Sequence, residues 1–195
     1  LPPRDALILA DAALTDLADM DKFKRSESER RQHEVRAELQ RQLSESGASR
    51  GAVRGRAVLE HADGFSGSPG ESWVRWLALT AGLPAPICEW EVWVEGRQYF
   101  TDVTWLATGA DWPRRALAFE YDGEAKYGDR PDVAVRTVLR EKRREDALRD
   151  AGVTIHRVMK SRLADSKGAR AWMLSHAPAS LVAARTPRPA LLARA

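Results

Sequence analysis

ALAFEYDGEAKY, residues 116–127, decides the reading of this chain. Its first half is apolar, and carboxylates enter at Glu120 and Asp122 just before Gly123, so residues 116–123 read as a buried strand ended by a glycine. On such a strand Ala116, Ala118, Glu120 and Asp122 share one face, and Leu117, Phe119 and Tyr121 the other. The following stretch, RPDVAVRTVLREKRREDALRDAG (130–152), has helical periodicity and stops at Gly152. VTIHRVM (153–159) then reads as another strand. Strand, helix, strand is an α/β pattern.

The pattern extends upstream. ICEWEVWVEG (87–96) alternates, with Cys88, Trp90, Val92 and Val94 predicted on one face, and a Gly96–Arg97 turn leads into YFTDVTWL (99–106). SPGESWVRWLALTAG (68–82) is a marked helix: Ser68 at the cap, Pro69 in the first turn, Glu71 three residues after the cap, Gly82 at the exit. DSKGARAWMLSHA (165–177) predicts a last helix. Residues 1–65 read as helices, the first with its apolar stripe at Ala6, Leu9, Ala10, Ala13 and Leu17. The second, SESERRQHEVRAELQRQL (26–43), is charged except at Val35, Leu39 and Leu43, and SRGAVRGRAVLEHAD (49–63) is a short basic third. The tail from Pro178 is expected to be loose or to dock on a partner. The predicted organisation is a helical region over 1–65, a sheet-bearing domain over 66–176 and a tail over 177–195.

Bulk properties narrow the classes. With 44% hydrophobic residues and seven tryptophans the chain can bury a core, and its net charge of +3 and pI near 9.2 fit a nucleic-acid partner without demanding one. The single cysteine, Cys88, excludes a disulfide framework or a thiolate zinc site. No apolar run approaches the roughly 18 residues of a membrane span, and no signal-peptide pattern opens the chain. A cytoplasmic protein is expected. It begins at Leu1 rather than methionine, as a piece of a longer protein would.

The carboxylates carry the chemical question. Asp102 is expected to share a face with Phe100 and Thr104, and pairing of the two strands would bring it to Glu120. Asp102, Glu120 and Asp122 on one sheet face repel unless protonated or metal-bound. All-oxygen ligands suit Mg²⁺ or Mn²⁺, and Lys126 is near enough to return a positive charge. Such a set fits metal-assisted phosphodiester hydrolysis. Two blander readings stand beside it: the acids pair with Arg114, Arg115 or Arg130, and Glu71 only closes a capping box. On the long helix, Glu141 and Glu145 fall in the stripe of Ala134, Val138 and Leu148, so they either reach the site or are neutralised by Lys142, Arg144 or Arg149. Residues 136–149 hold six basic and three acidic side chains, and their outer face would follow a phosphate backbone. His156 reads as structural, and no phosphate-cradling glycine motif occurs.

The series SPGES…GLPAP…TDVTW…FEYDGEAKY…EKRREDALRDAG…HRV resembles the very-short-patch-repair-like branch of the PD-(D/E)XK nuclease superfamily. It looks closest to actinobacterial proteins related to AbiEi-like type IV antitoxins. The resemblance implies a restriction-endonuclease-like mixed central sheet flanked by helices, after an N-terminal helical region. It implies catalytic roles for Glu71, Asp102, Glu120, Asp122 and Lys126, with Mg²⁺ or Mn²⁺ on Asp102, Glu120 and Asp122. Asp122 stands where the superfamily's motif has lysine, Thr101 where relatives tend to have arginine, and Glu89 where glutamine is expected. The expected function is a divalent-metal-dependent DNA endonuclease, in phage defence or mobile-element biology. Arg140, Lys142, Arg143 and Arg144 are its expected DNA-backbone contacts, and the N-terminal helices or the tail would form a homodimer or bind a protein partner. The alternatives are a non-catalytic DNA-binding regulator or antitoxin on the same scaffold, and a protein-interaction module.

Overall fold

A computed structural model describes residues 1–45, 50–123 and 131–192. Helices α1 (Pro3–Leu17), α2 (Arg25–Glu45), α3 (Arg50–His61) and α4 (Pro69–Thr80) precede strands β1 (Ile87–Val94), β2 (Arg97–Leu106) and β3 (Ala116–Asp122). Helix α5 (Pro131–Asp150), strand β4 (Val153–Met159) and helices α6 (Lys160–Ala164), α7 (Ser166–His176) and α8 (Ala179–Ala183) follow. Single 3₁₀ turns stand at Lys22–Lys24 and Pro189–Leu191. The fold is α/β, with a four-stranded mixed sheet in the order β1-β2-β3-β4. β1, β2 and β3 run antiparallel as a meander, and α5 carries the chain over to β4, parallel to β3.

Helices cover both faces of the sheet. Leu117 and Phe119 of β3 join Val103 and Trp105 of β2, Val74 and Leu77 of α4 and Met173 of α7 in the larger core. Phe119 is fully buried, edge-on to Trp105 at 6.0 Å and to Trp172 at 5.6 Å between ring centres, which stabilises by about 2–3 kcal/mol through burial alone. On the opposite face Ala116 and Ala118 leave room for α5, whose Leu148 packs there with Val92 and Val153. The alternation expected for 116–123 thus separates the two faces as drawn from the sequence.

The helices before residue 65 share the larger core, through Leu7, Leu14, Val58 and Ala62. Here α1 departs from its expected stripe. Leu9 and Leu17 are exposed, and the buried line is Leu7, Asp11 and Leu14. A carboxylate in a buried line is costly without a partner. Arg75 of α4, itself buried, pairs with Asp11 and also donates to the His61 carbonyl, which removes the objection.

The tail differs as well. Instead of hanging loose, α8 and the Pro189–Leu191 turn pack on the chain's own helices. Leu181 and Leu191 are buried, and the Trp76 indole N–H donates to the Leu191 carbonyl at 3.0 Å. Arg188 caps the exit of α4 by donating to the Leu83 carbonyl at 2.7 Å.

Candidate active site

Four residues stand in one row across the sheet. Register pairs Glu120 with Arg157 of β4. Val103 pairs with Phe119, and the next step along both strands sets Asp102 opposite Glu120. On the other side β1 and β2 pair at Cys88–Val103 and at Trp90–Thr101, and the step between them faces Glu89 toward Asp102. The row reads Glu89, Asp102, Glu120, Arg157.

β1 and β2 are both irregular here. Glu89 has φ +46°, a left-handed conformation inside a strand, which is costly for a residue with a Cβ and gathers at functional sites. It breaks the alternation: Cys88 turns toward Asp63 and Arg75 on the helical side, while Val92 faces α5. Two cations steady this kink. Arg25 donates to the Cys88 and Glu89 carbonyls, and Lys22 lies 3.0 Å from the Glu89 carboxylate. In β2 the Thr101 and Thr104 hydroxyls are 2.7 Å apart. Side chains three apart on a regular strand point to opposite faces, so the strict alternation expected around Asp102 does not hold. The Asp102 carboxylate accepts the Tyr121 N–H at 2.9 Å, in place of a ladder bond.

The positive charge on Glu120 is Arg144. Its guanidinium donates to both carboxylate oxygens, at 2.6 and 3.0 Å, and to the Phe100 carbonyl at 2.8 Å. Glu120 is only 4% exposed, and a buried bidentate pair of this kind is strong as well as directional. Arg144 therefore points inward, contrary to its expected place among outward DNA-backbone contacts; α5 turns that side chain to the sheet because it follows Glu141 by three residues on the packed side. Burial opposes its charge, yet Glu120 raises the guanidinium pKa further.

Arg157 answers the inward glutamates of α5. It donates to Glu141 at 2.5 Å and lies 3.9 Å from Glu145 and 4.0 Å from Asp122. Burial would raise the Glu141 carboxyl, but Arg157 and Arg144 hold it below its ordinary value. Neither Arg114 nor Arg115, the neutralising partners considered from sequence, plays that part. Arg114 donates to the Arg149 carbonyl at 2.6 Å and Arg115 lies over the Trp90 ring. Arg130 and Lys126 lie outside the described residues.

Glu71 closes the helix cap and faces the row as well. Its carboxylate accepts from the Gly67 N–H at 2.9 Å and the Ser68 hydroxyl at 2.8 Å, while the Glu71 N–H donates to Ser68 Oγ. Burial and the nearby Glu89 raise its carboxyl pKa, against the pull of those donors. A methyl group placed on Gly67 would lie 3.2 Å from a Glu71 oxygen and 3.4 Å from a Glu89 oxygen, so the two carboxylates converge on that point.

Asp102 is the unbalanced member. Among the described residues no cation lies within ion-pair distance of it. Burial, Glu71 and Glu120 push its carboxyl up to about 7. Three acids crowd one half-buried carboxyl whose single donor is an amide. No group of three or more His, Cys, Asp or Glu side chains among the described residues is placed to hold a metal ion by itself.

The structure thus gathers Glu71, Asp102 and Glu120, sets Asp122 toward Arg157, and adds Glu89, Arg144 and Arg157. Arg157 had a readable signal, an arginine inside a strand next to a helix with two inward glutamates. Among the described residues no helix is long and apolar enough to cross a membrane. No family model matches the chain, and it matches no curated protein and no solved structure.

Proposed function

We propose that the chain is a divalent-metal-dependent nuclease that hydrolyses phosphodiester bonds in DNA, inside the cell. The observation that carries this reading is Asp102, a half-buried carboxyl crowded by Glu71 and Glu120, without a cation among the described residues. Perturbed acids in such a cluster are candidates for chemistry. The donors are hard oxygens, and Mg²⁺ commonly takes one or two carboxylates and fills its remaining positions with water and phosphate oxygens. Asp102 and Glu120 therefore suit Mg²⁺ or Mn²⁺ without a third acid. When bound, the metal would supply Lewis acidity and a water of lowered pKa. Glu71 would orient that water from the first turn of α4, and Arg144 would set N–H donors against charge on a phosphoryl oxygen. The resemblance to the very-short-patch-repair-like nucleases supports the same assignment.

One observation favours the non-catalytic, DNA-binding alternative: Arg144 already satisfies both oxygens of Glu120. Calorimetry with Mg²⁺ and Mn²⁺, on the unchanged protein and on Asp102→Asn, decides between them when plasmid nicking is followed in the same buffers. Binding and nicking that both vanish in the variant support the nuclease. A folded protein that binds neither metal and nicks nothing leaves the scaffold reading.

A further inference from the structure

A groove of about 840 Å³ runs along one flank of α5, between that helix and the end of the β1–β2 hairpin. Arg97 and Tyr99 line it from the hairpin, and Arg140 and Arg143 from the helix. Arg144 lines it too, and reaches from there to Glu120. The one carboxylate among the described lining residues, Glu141, is already held by Arg144 and Arg157.

Arg97, Arg140 and Arg143 are exposed and form no ion pair among the described residues. Four of the five arginines of α2 behave otherwise: Arg25, Arg30, Arg31 and Arg41 each hold a glutamate three or four residues away. Uncompensated guanidinium groups around one concave surface repel each other and focus a positive field there. Each also presents the forked N–H donors that match a phosphate. The other flank of α5 is different, because there Lys142 and Arg149 stand among Asp122, Glu145 and Asp146. Charge on that side is matched within the chain.

We propose that the arginine groove carries the phosphodiester backbone of a nucleic-acid strand into the acidic row, with Arg97, Arg140 and Arg143 as its phosphate contacts. Arg97 was outside the contacts expected from the helix alone, and Lys142 drops out of them. The proposal rests on the reading that the acidic row acts on nucleic acid, but its test does not depend on cleavage.

The test is binding of a fluorescein-labelled DNA duplex of arbitrary sequence, by anisotropy in EDTA, over a series of NaCl concentrations. Arg97→Gln, Arg140→Gln and Arg143→Gln are each expected to reduce the slope of log K against log salt by about one. Lys142→Gln is expected to leave it unchanged. The proposal is overturned if Lys142→Gln lowers the slope as much as the arginine variants, if those variants leave it unchanged, or if the unchanged protein binds no DNA at low salt. Metal is chelated throughout, so binding is read apart from cleavage: a protein that binds DNA through this groove here but nicks nothing in the Mg²⁺ and Mn²⁺ assay sinks the nuclease reading alone.

Discussion

Arg144 of α5 closes on Glu120 of β3 with both terminal nitrogens, and so ties the helix to the sheet at the row of acids. Removing one partner of such a pair strands the other charge in a poorly solvated place. Arg144→Met is expected to destabilise by about 3 kcal/mol, and Glu120→Gln in the same chain to recover much of that loss. Urea unfolding of the two singles and the double gives the coupling. An additive double variant would show that the pair contributes nothing as a pair.

Stability is expected to depend on pH through Asp102. Its carboxyl titrates near 7 in the folded protein and near 3.8 without the fold. Between those values the folded state holds the extra proton, so stability falls as pH rises and the loss is complete above about 7. Asp102→Asn removes that slope and is expected to gain on the unchanged protein by about 1–2 kcal/mol from pH 5 to pH 8, after allowance for solvent screening. Parallel pH profiles of the urea midpoint would refute the assignment.

Metal binding, if the proposed function holds, competes with the same proton. Apparent Mg²⁺ affinity is expected to fall about tenfold for each pH unit below about 7 and to level off above it. Calorimetry from pH 5.5 to 8.5 reads this directly. An affinity flat across that range would mean that Asp102 is not a ligand.

The Asp11–Arg75 pair is buried on both sides, with side chains 1% and 3% exposed. Asp11→Ala and Arg75→Met are each expected to cost about 3–5 kcal/mol, and the paired replacement Asp11→Leu with Arg75→Met much less than their sum. Thermal and urea unfolding of the three variants check this. Full additivity would contradict it.

Gly70 touches the site from behind. A methyl group there would collide with the ring of Tyr121, the residue whose backbone N–H holds Asp102. Gly70→Ala is expected to destabilise by about 1–3 kcal/mol through overpacking, and Tyr121→Ala to relieve part of it. If Gly70→Ala is neutral on its own, the ring is not wedged against the first turn of α4.

The order of elements was legible because periodicity and punctuation agreed, as at Ser68, Gly123 and Gly152. So was the meeting of Asp102 with Glu120, which needs only strand pairing. Other features depend on partners distant in sequence. The buried stripe of α1 contains Asp11, and nothing near it announces Arg75, 64 residues on. Arg144 looked like one more surface base until β3 placed a buried glutamate beneath it. The left-handed turn at Glu89 has no composition signal at all, since neither glycine nor asparagine marks it. The closing of the tail over α4 hangs on Leu181 and Leu191, two of the three leucines in a stretch rich in alanine and proline.

That last closure bears on how the protein is made. The Pro189–Leu191 turn touches α1, α3 and α4, and Leu191 sits in the same core as Leu7 and Leu14. A chain growing from the ribosome presents its first helices long before this leucine leaves the exit tunnel. Part of the apolar side of those helices stays uncovered until then, and the final core forms only after synthesis has passed residue 191.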